Sequence, residues 1–145
     1  MNEGVLLDSD ALIALINKED SLHKRALKIQ NKLTKLGSIF MISRYVIAET
    51  ATFLTLRVNR KIAVRFLKDL EKQEILIIDP NEELEKLTKD FFFKQKSHKI
   101  TYFDCANMAI LSQYHWKIIF SFDKHYRQND FLLAENWLKQ TTPGL

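Results

Sequence analysis

Cysteine is nearly absent from this chain. Cys105 is the only one, which excludes an intrachain disulfide and a cysteine metal cluster and fits a reducing, cytoplasmic setting. Three glycines and two prolines argue against flexible linkers, low-complexity tracts and an all-β fold rich in turns, and no internal repeat is present. Long apolar runs are missing as well. None approaches the length that spans a membrane, and the N-terminus lacks a basic region followed by a long apolar stretch, so neither an anchor nor a signal peptide is expected.

What is present suffices for one core. With 145 residues, 46% of them hydrophobic, the whole chain, 1–145, is expected to form a single domain. The 22 Lys and Arg exceed the 18 Asp and Glu, for a formal charge of +4 and a pI near 9.1. That mild excess suits a polyanionic partner without requiring one. More telling is where the acids fall. Asp8 follows Val5-Leu6-Leu7, Glu49 follows Val46-Ile47-Ala48, Asp104 follows Tyr102-Phe103, and Asp123 follows Ile118-Ile119-Phe120-Ser121-Phe122. An ionised carboxylate beside so much apolar surface is costly unless it is hydrogen-bonded, paired or bound to a metal. Four meeting at one point would suit a hard divalent cation. An acidic centre in a basic surround is the arrangement a metal-dependent enzyme acting on a phosphate backbone needs.

Periodicity orders the elements. Val5-Leu6-Leu7 reads as a short buried strand, and Asp8-Ser9-Asp10 supplies turn and capping chemistry for a helix over Ala11 to Ile16. From Ser21, a candidate N-cap, Leu22, Ala26, Ile29, Leu33 and Leu36 recur at steps of three and four until Gly37 stops the helix. Ile39 to Ile42 is the second strand, and Ser43 caps a helix to about Arg57 with Glu49 in its second turn. A helix from about Arg60 to Glu74 leads to a third strand, Ile75 to Ile78, closed by Pro80, and Asn81 caps the next helix. Tyr102 to about His115 reads as a helix and Lys117 to Phe122 as a fourth strand. Phe131-Leu132-Leu133 is a candidate fifth strand, while Ala134 to Lys139 looks as helical as extended.

Strands alternating with helices predict an α/β fold whose central, mostly parallel sheet is covered on both faces. Ligands of such sheets bind at the carboxyl ends of the strands. Asp8 and Asp123 each follow a strand, and Glu49 and Asp104 lie near the starts of helices, so all four can share that edge. Each has a plainer use: Asp8 in a turn, Asp104 and Asp123 as helix caps, Glu49 in a salt bridge. Glu49 fits its plain use least, because Val46 and Phe53, three back and four on, set it on an apolar helix face.

With these residues in view, the chain resembles a known family, the PIN domain, and within it the VapC-like ribonuclease toxins of toxin–antitoxin pairs. The likeness runs through Val5 to Leu15 (VLLDSDALIAL), Ile42 to Leu54 (ISRYVIAETATFL), Tyr102 to Leu111 (YFDCANMAIL) and Ile119 to Asp123 (IFSFD), in the family's order and spacing. It implies a three-layer α/β/α fold. It also implies that Asp8, Glu49, Asp104 and Asp123 are the acidic quartet that binds Mg2+ or Mn2+ and hydrolyses RNA. Ser121 then takes the place of a hydroxyl residue, often Thr, that helps hold the pocket. Asp10 stands where the family often has Ser, Thr or Asn; it would still cap the helix while adding a charge behind the quartet. An RNA substrate, a masking antitoxin protein and a homodimer are further implications of the resemblance.

The chemistry follows from charge: divalent ions polarise the scissile phosphate and lower the pKa of a bound water, and hard cations take oxygen ligands. His23, His98, His115 and His125 show no metal-ligand spacing and read as surface or satisfied histidines. Arg44, Arg57, Arg60, Lys61 and Arg65, around the Glu49 helix and the turn after it, are candidates to meet phosphates, with Arg44 as pocket support; their plain reading is a solvated helical face. Phe91-Phe92-Phe93 and Trp137 read as core or interface. Three successive phenylalanines cannot share one helix face, which leaves at least one for a partner.

Other readings stay open. Leu6-Leu7-Asp8-Ser9-Asp10 also resembles the opening motif of haloacid-dehalogenase-like phosphatases, with Asp8 as nucleophile, although no late acidic pair is found and Glu49 is left without a role. Asp8, Asp10 and Asp79 resemble a receiver-like signalling module, although Asp79-Pro80 reads more simply as a turn. A PIN fold kept only for binding is the third.

Overall fold

Val5-Leu6-Leu7 and Ile118-Ile119-Phe120 are buried at every position, as strands covered on both faces must be. In the computed structural model, which describes residues 2–141, they are β1 (Gly4–Leu7) and β4 (Ile118–Phe120) of a five-stranded sheet. Between them come α1 (Ser9–Ile16), α2 (His23–Lys35), β2 (Ile39–Ser43), α3 (Arg44–Arg57), α4 (Arg60–Glu71), β3 (Ile75–Ile78), α5 (Glu82–Lys94) and α6 (Tyr102–Tyr114). After β4 follow α7 (His125–Gln128), β5 (Leu132–Leu133) and α8 (Ala134–Thr141). The strand order is β3-β2-β1-β4-β5, and every pairing is parallel, with Leu7 level with both Ile42 and Phe120.

Alternation along the strands divides the core. Val5, Leu7, Ile42, Ile118 and Phe120 pack with residues of α1, α2, α3, α4 and α8. Leu6, Met41, Ile78, Ile119 and Leu133 pack on the other side with α5, α6 and Tyr126 of α7. The result is the three-layer α/β/α arrangement the sequence predicts, with a sheet parallel throughout. At one sheet end, a Cβ on Gly4 would lie 2.1 Å from the Trp116 ring, so glycine is required for the strand and ring to pack. Among the described residues no helix is long and apolar enough to cross a membrane.

Several boundaries differ from the sequence reading, for local reasons. α1 begins at Ser9 with Asp8 as its N-cap, so Asp10 is not the cap. α2 begins at His23 after Leu22, without a side-chain cap. Asp20, not Ser21, holds the turn before it, accepting the Leu22 N–H at 2.8 Å. α4 stops at Glu71, and Ala134 onward is helical. β4 stops at Phe120 because the Phe122 N–H is taken by the Asp10 carboxylate at 2.9 Å instead of a neighbouring strand.

The connections matter most for function. From β1 the chain moves outward through β2 to β3, then crosses back over both to form β4 on the other flank. The winding direction reverses between β1 and β4, and ligands of open parallel sheets bind outside the carboxyl ends of the strands at such a reversal. Asp8 follows one of these two strands. Its N–H donates to the Phe120 carbonyl of the other at 3.1 Å.

Candidate functional site

Asp8 stands at the floor of this crevice and is 6% exposed. Its Oδ1 accepts the Ser9 N–H at 2.9 Å and the Asn107 side-chain amide at 3.1 Å. Burial first, and then the charge of Asp10, push its pKa up to about 8. The Ser121 hydroxyl donates to Asp10 Oδ2 at 3.3 Å, and it also lies close enough to Asp8 to oppose that rise. With a single proton to give, it serves one of the two acids at a time.

Asp10 acts as a tie. Its Oδ1 accepts the Ala11 N–H at 2.7 Å and its Oδ2 the Phe122 N–H, fastening the first turn of α1 to the segment after β4. Burial raises its pKa, and the charge of Asp123 adds to the rise. Ser121, nearly enclosed, also accepts the Asp123 N–H at 3.1 Å, so one buried hydroxyl sets the position of Asp10 and Asp123 together.

Asp104 uses its two oxygens differently. Oδ2 accepts the Thr101 N–H at 2.9 Å in a capping box at the start of α6, so its plain capping use is real. Oδ1 accepts from the Tyr126 hydroxyl at 3.3 Å and faces the crevice. One turn further on, Asn107 donates to Asp8 and, at 3.1 Å, to the Tyr126 oxygen. Tyr126 is fully buried; burial, and then the charges of Asp8 and Asp104, hold its phenol proton far above its ordinary pKa. An Asp8–Asn107–Tyr126–Asp104 chain therefore links two of the acids through neutral donors.

His125, read from the sequence as a surface or satisfied histidine, lies beside the acids with its side chain 19% exposed. Its Nδ1 is buried without a hydrogen-bond partner, although it is 2.8 Å from Asp123 Oδ1. The same Oδ1 accepts the His125 backbone N–H at 2.9 Å. Asp104, Asp123 and His125 each offer a ligand atom, all within 4.8 Å of one another.

Glu49, half-buried on α3, enters through charge. Burial raises its pKa, the Ser9 hydroxyl opposes the rise, and Asp104 and Asp10 add to it. Its apolar surround is one-sided, since Val46 is buried but Phe53 is 39% exposed. Arg44 is exposed and donates from Nε to Asp79 Oδ1 at 2.7 Å. Arg57 ends the 14-residue α3, about 20 Å along the helix from the sheet edge, and Arg60, Lys61 and Arg65 follow on α4. The structure thus gathers Asp8, Asp10, Glu49, Asp104, Asp123 and Ser121, pairs Arg44 with Asp79, and sets Arg57 at the far end of α3. Sequence reasoning passed over Ser9, Asn107 and Tyr126; the spacing of three between Asp104 and Asn107 was the one available signal.

Residues 5–132 match the family model of the PIN domain. No curated protein matches the chain. Among solved structures, VapC20 of Mycobacterium tuberculosis, a sarcin-ricin loop cleaving toxin, superposes with a TM-score of 0.79 at 18% identity, over 88% of this chain and 96% of that one. FitAcB from Neisseria gonorrhoeae gives 0.64 at 17% identity over 92% and 98%. VapBC2 from Rickettsia felis, bound to a DNA fragment from its promoter, gives 0.65 at 16% over 90% and 96%.

Proposed function

The chain belongs to the PIN domain family, and from that premise we propose that it is a Mg2+- or Mn2+-dependent endoribonuclease, the toxin of a toxin–antitoxin pair. Asp8, Glu49, Asp104 and Asp123 are its metal ligands and activators in this reading. One observation supports it above the rest: these acids and Asp10 interact around the β1/β4 crevice, where burial and mutual repulsion raise the pKa of Asp8, Asp10 and Glu49. A pocket strained by its own negative charge is suited to a cation. The donors fit one. Asp104, Asp123 and His125 present clustered ligand atoms, and Asn107 Oδ1 is buried without a hydrogen-bond partner.

Asp8, Asp104 and Asp123, with Glu49 beside them, would hold a divalent ion, which would supply polarisation of the scissile phosphate and a more acidic water. The chain's own groups do the rest. Asn107 and Tyr126 fix the Asp8 and Asp104 carboxylates; Asp10 and Ser121 fix the segment carrying Asp123. Glu49, with its raised pKa, is a stronger base than a surface carboxylate for taking the proton of the attacking water. An imidazole nitrogen beside the acids suits Mn2+ better than Mg2+.

RNA, an antitoxin and a second copy of the chain are the proposed partners, in the cytoplasm. Exposed apolar side chains are present for the protein partners, with Leu56 and Phe93 at 75% and 76%. The phosphatase reading requires Asp8 as a free nucleophile, whereas it is buried and twice hydrogen-bonded. The receiver reading requires Asp79 in an acidic pocket, whereas its side chain is 66% exposed and paired with Arg44.

Purified protein with RNA and Mn2+ is expected to cut internally, and EDTA to stop it. Asp8→Asn and Asp104→Asn are each expected to lower the rate by about 100-fold or more. Cleavage that survives chelation, or continues unchanged in both variants, overturns the proposal.

A further inference from the structure

Beside the acidic crevice lies a groove of opposite charge. Arg25, Lys28, Ile29 and Lys32 of α2 and Glu135, Leu138 and Lys139 of α8 line about 140 Å³ between the two helices. Four cations face one carboxylate there, a net charge of +3 in a chain whose whole formal charge is +4. Arg25 stands at the mouth and is held firmly. Its Nε donates to Glu135 Oε2 at 2.7 Å and a second guanidinium nitrogen to Oε1, while its guanidinium lies over the Phe122 ring, 5.0 Å from the centroid. Phe122 sits between Ser121 and Asp123, so the mouth of the groove adjoins the acidic site. Lys28 and Lys32 follow from Arg25 along one face of α2, the whole row spanning about 10 Å.

We infer that this α2/α8 groove is the track on which a single RNA strand lays its phosphates as it enters or leaves the acidic crevice, an inference that rests on the ribonuclease reading above. A cleft between two packed helices admits one backbone, not a duplex. Lysines on flexible stems at its rim neutralise phosphates without reading bases. Arg25, already paired with Glu135 and stacked on Phe122, sets the turn from groove to site.

The test separates this track from the cleavage chemistry. Binding of a fluorescein-labelled oligouridylate of 12 nucleotides is followed by anisotropy in EDTA, over a salt series, for the wild-type chain, Lys28→Gln/Lys32→Gln, and the α4 pair Lys68→Gln/Lys72→Gln at the end of that helix. All four lysines are at least partly exposed, so each double variant keeps the fold, checked by its melting curve. The groove pair is expected to reduce the slope of log K against log salt by about 1.4, at about 0.7 per phosphate neutralised on a single strand, and the α4 pair to leave it unchanged. With Mn2+ present, the groove pair is expected to raise KM for long RNA by about 10-fold and to spare cleavage of a dinucleotide. An unchanged slope and KM in the groove pair overturns the track even where the wild type cleaves RNA. So does a groove that binds polyglutamate in a lysine-dependent manner while RNA binding ignores the same lysines. A wild type that never cleaves fails the ribonuclease reading instead, and the EDTA binding slopes still report on the groove.

Discussion

Asp8 is pulled two ways. Its position after β1 aims it at the crevice, yet burial and the neighbouring Asp10 favour its protonated form, up to about pH 8. The sign of the linkage follows. A carboxyl whose folded pKa lies above its unfolded value stabilises the fold fully below the unfolded pKa, and that contribution is lost as pH rises through the folded one. The metal-free protein should therefore lose stability between about pH 4 and pH 8, in the range where Asp8 is being forced to ionise. Asp8→Asn keeps the shape and removes the charge. Its urea midpoint at pH 8 should exceed that of the metal-free wild type by the equivalent of about 1–3 kcal/mol, with little difference at pH 4; equal midpoints at both pH values would show that Asp8 is not strained. Tyr126 gives a second residue-level prediction. Tyr126→Phe keeps the packing but deletes the hydroxyl between Asn107 and Asp104, which should cost about 1 kcal/mol of stability and weaken Mn2+ binding by about 10-fold or more. Calorimetric titration with Mn2+ checks it, and wild-type affinity in the variant would remove Tyr126 from any positioning role.

At the scale of elements, the sheet was legible because its strands are runs of Val, Leu and Ile bounded by polar residues, and because an Asp directly after such a run marks a carboxyl end. That argument reached Asp8 and Asp123. It could not reach Asn107, since α6 is buried at every position from Cys105 to Leu111 and no polar stripe singles the residue out. Tyr126 and His125 lie in a four-residue helix, too short to show a period. The end of β4 was misread for a different reason. Phe122 resumes the apolar pattern after Ser121, but its N–H is captured by Asp10 from 112 positions away, a contact no local window contains. Helix starts show the same limit: Ser43 and Asn81 cap as their residue types suggest, while α2 begins without a side-chain cap. β1 offers the sharpest element-level test. Gly4→Ala drives a methyl group into the Trp116 ring, and the strand or the indole must shift. A loss of about 1–3 kcal/mol in urea unfolding is expected; a neutral result would mean that Trp116 is not tightly seated.

The whole molecule separates its charges. Five carboxylates crowd the switch point, while the α2/α8 groove beside it carries cations. Repulsion at the first site is a cost the fold bears in the metal-free state, and it grows with pH because Asp8, Asp10 and Glu49 all have raised pKa values. A divalent ion bound there, as proposed, would remove that repulsion and require the acids ionised, so its binding would release protons and tighten as pH rises. Stability and metal affinity are then linked in opposite directions: the pH that weakens the metal-free fold is the pH that favours the ion. Ligand bound only by the native state adds RT ln(1 + [L]/Kd), and at a Mn2+ concentration about 100 times Kd this reaches about 2.7 kcal/mol. Melting curves with and without 1 mM Mn2+ at pH 6 and pH 8 should show a larger upward shift at pH 8. Asp104→Asn should lose most of the shift at both pH values. Titration in two buffers of different ionisation enthalpy counts the protons released. A shift of equal size at both pH values, with no proton release, would place Mn2+ elsewhere on the surface and leave the acidic centre without its ion.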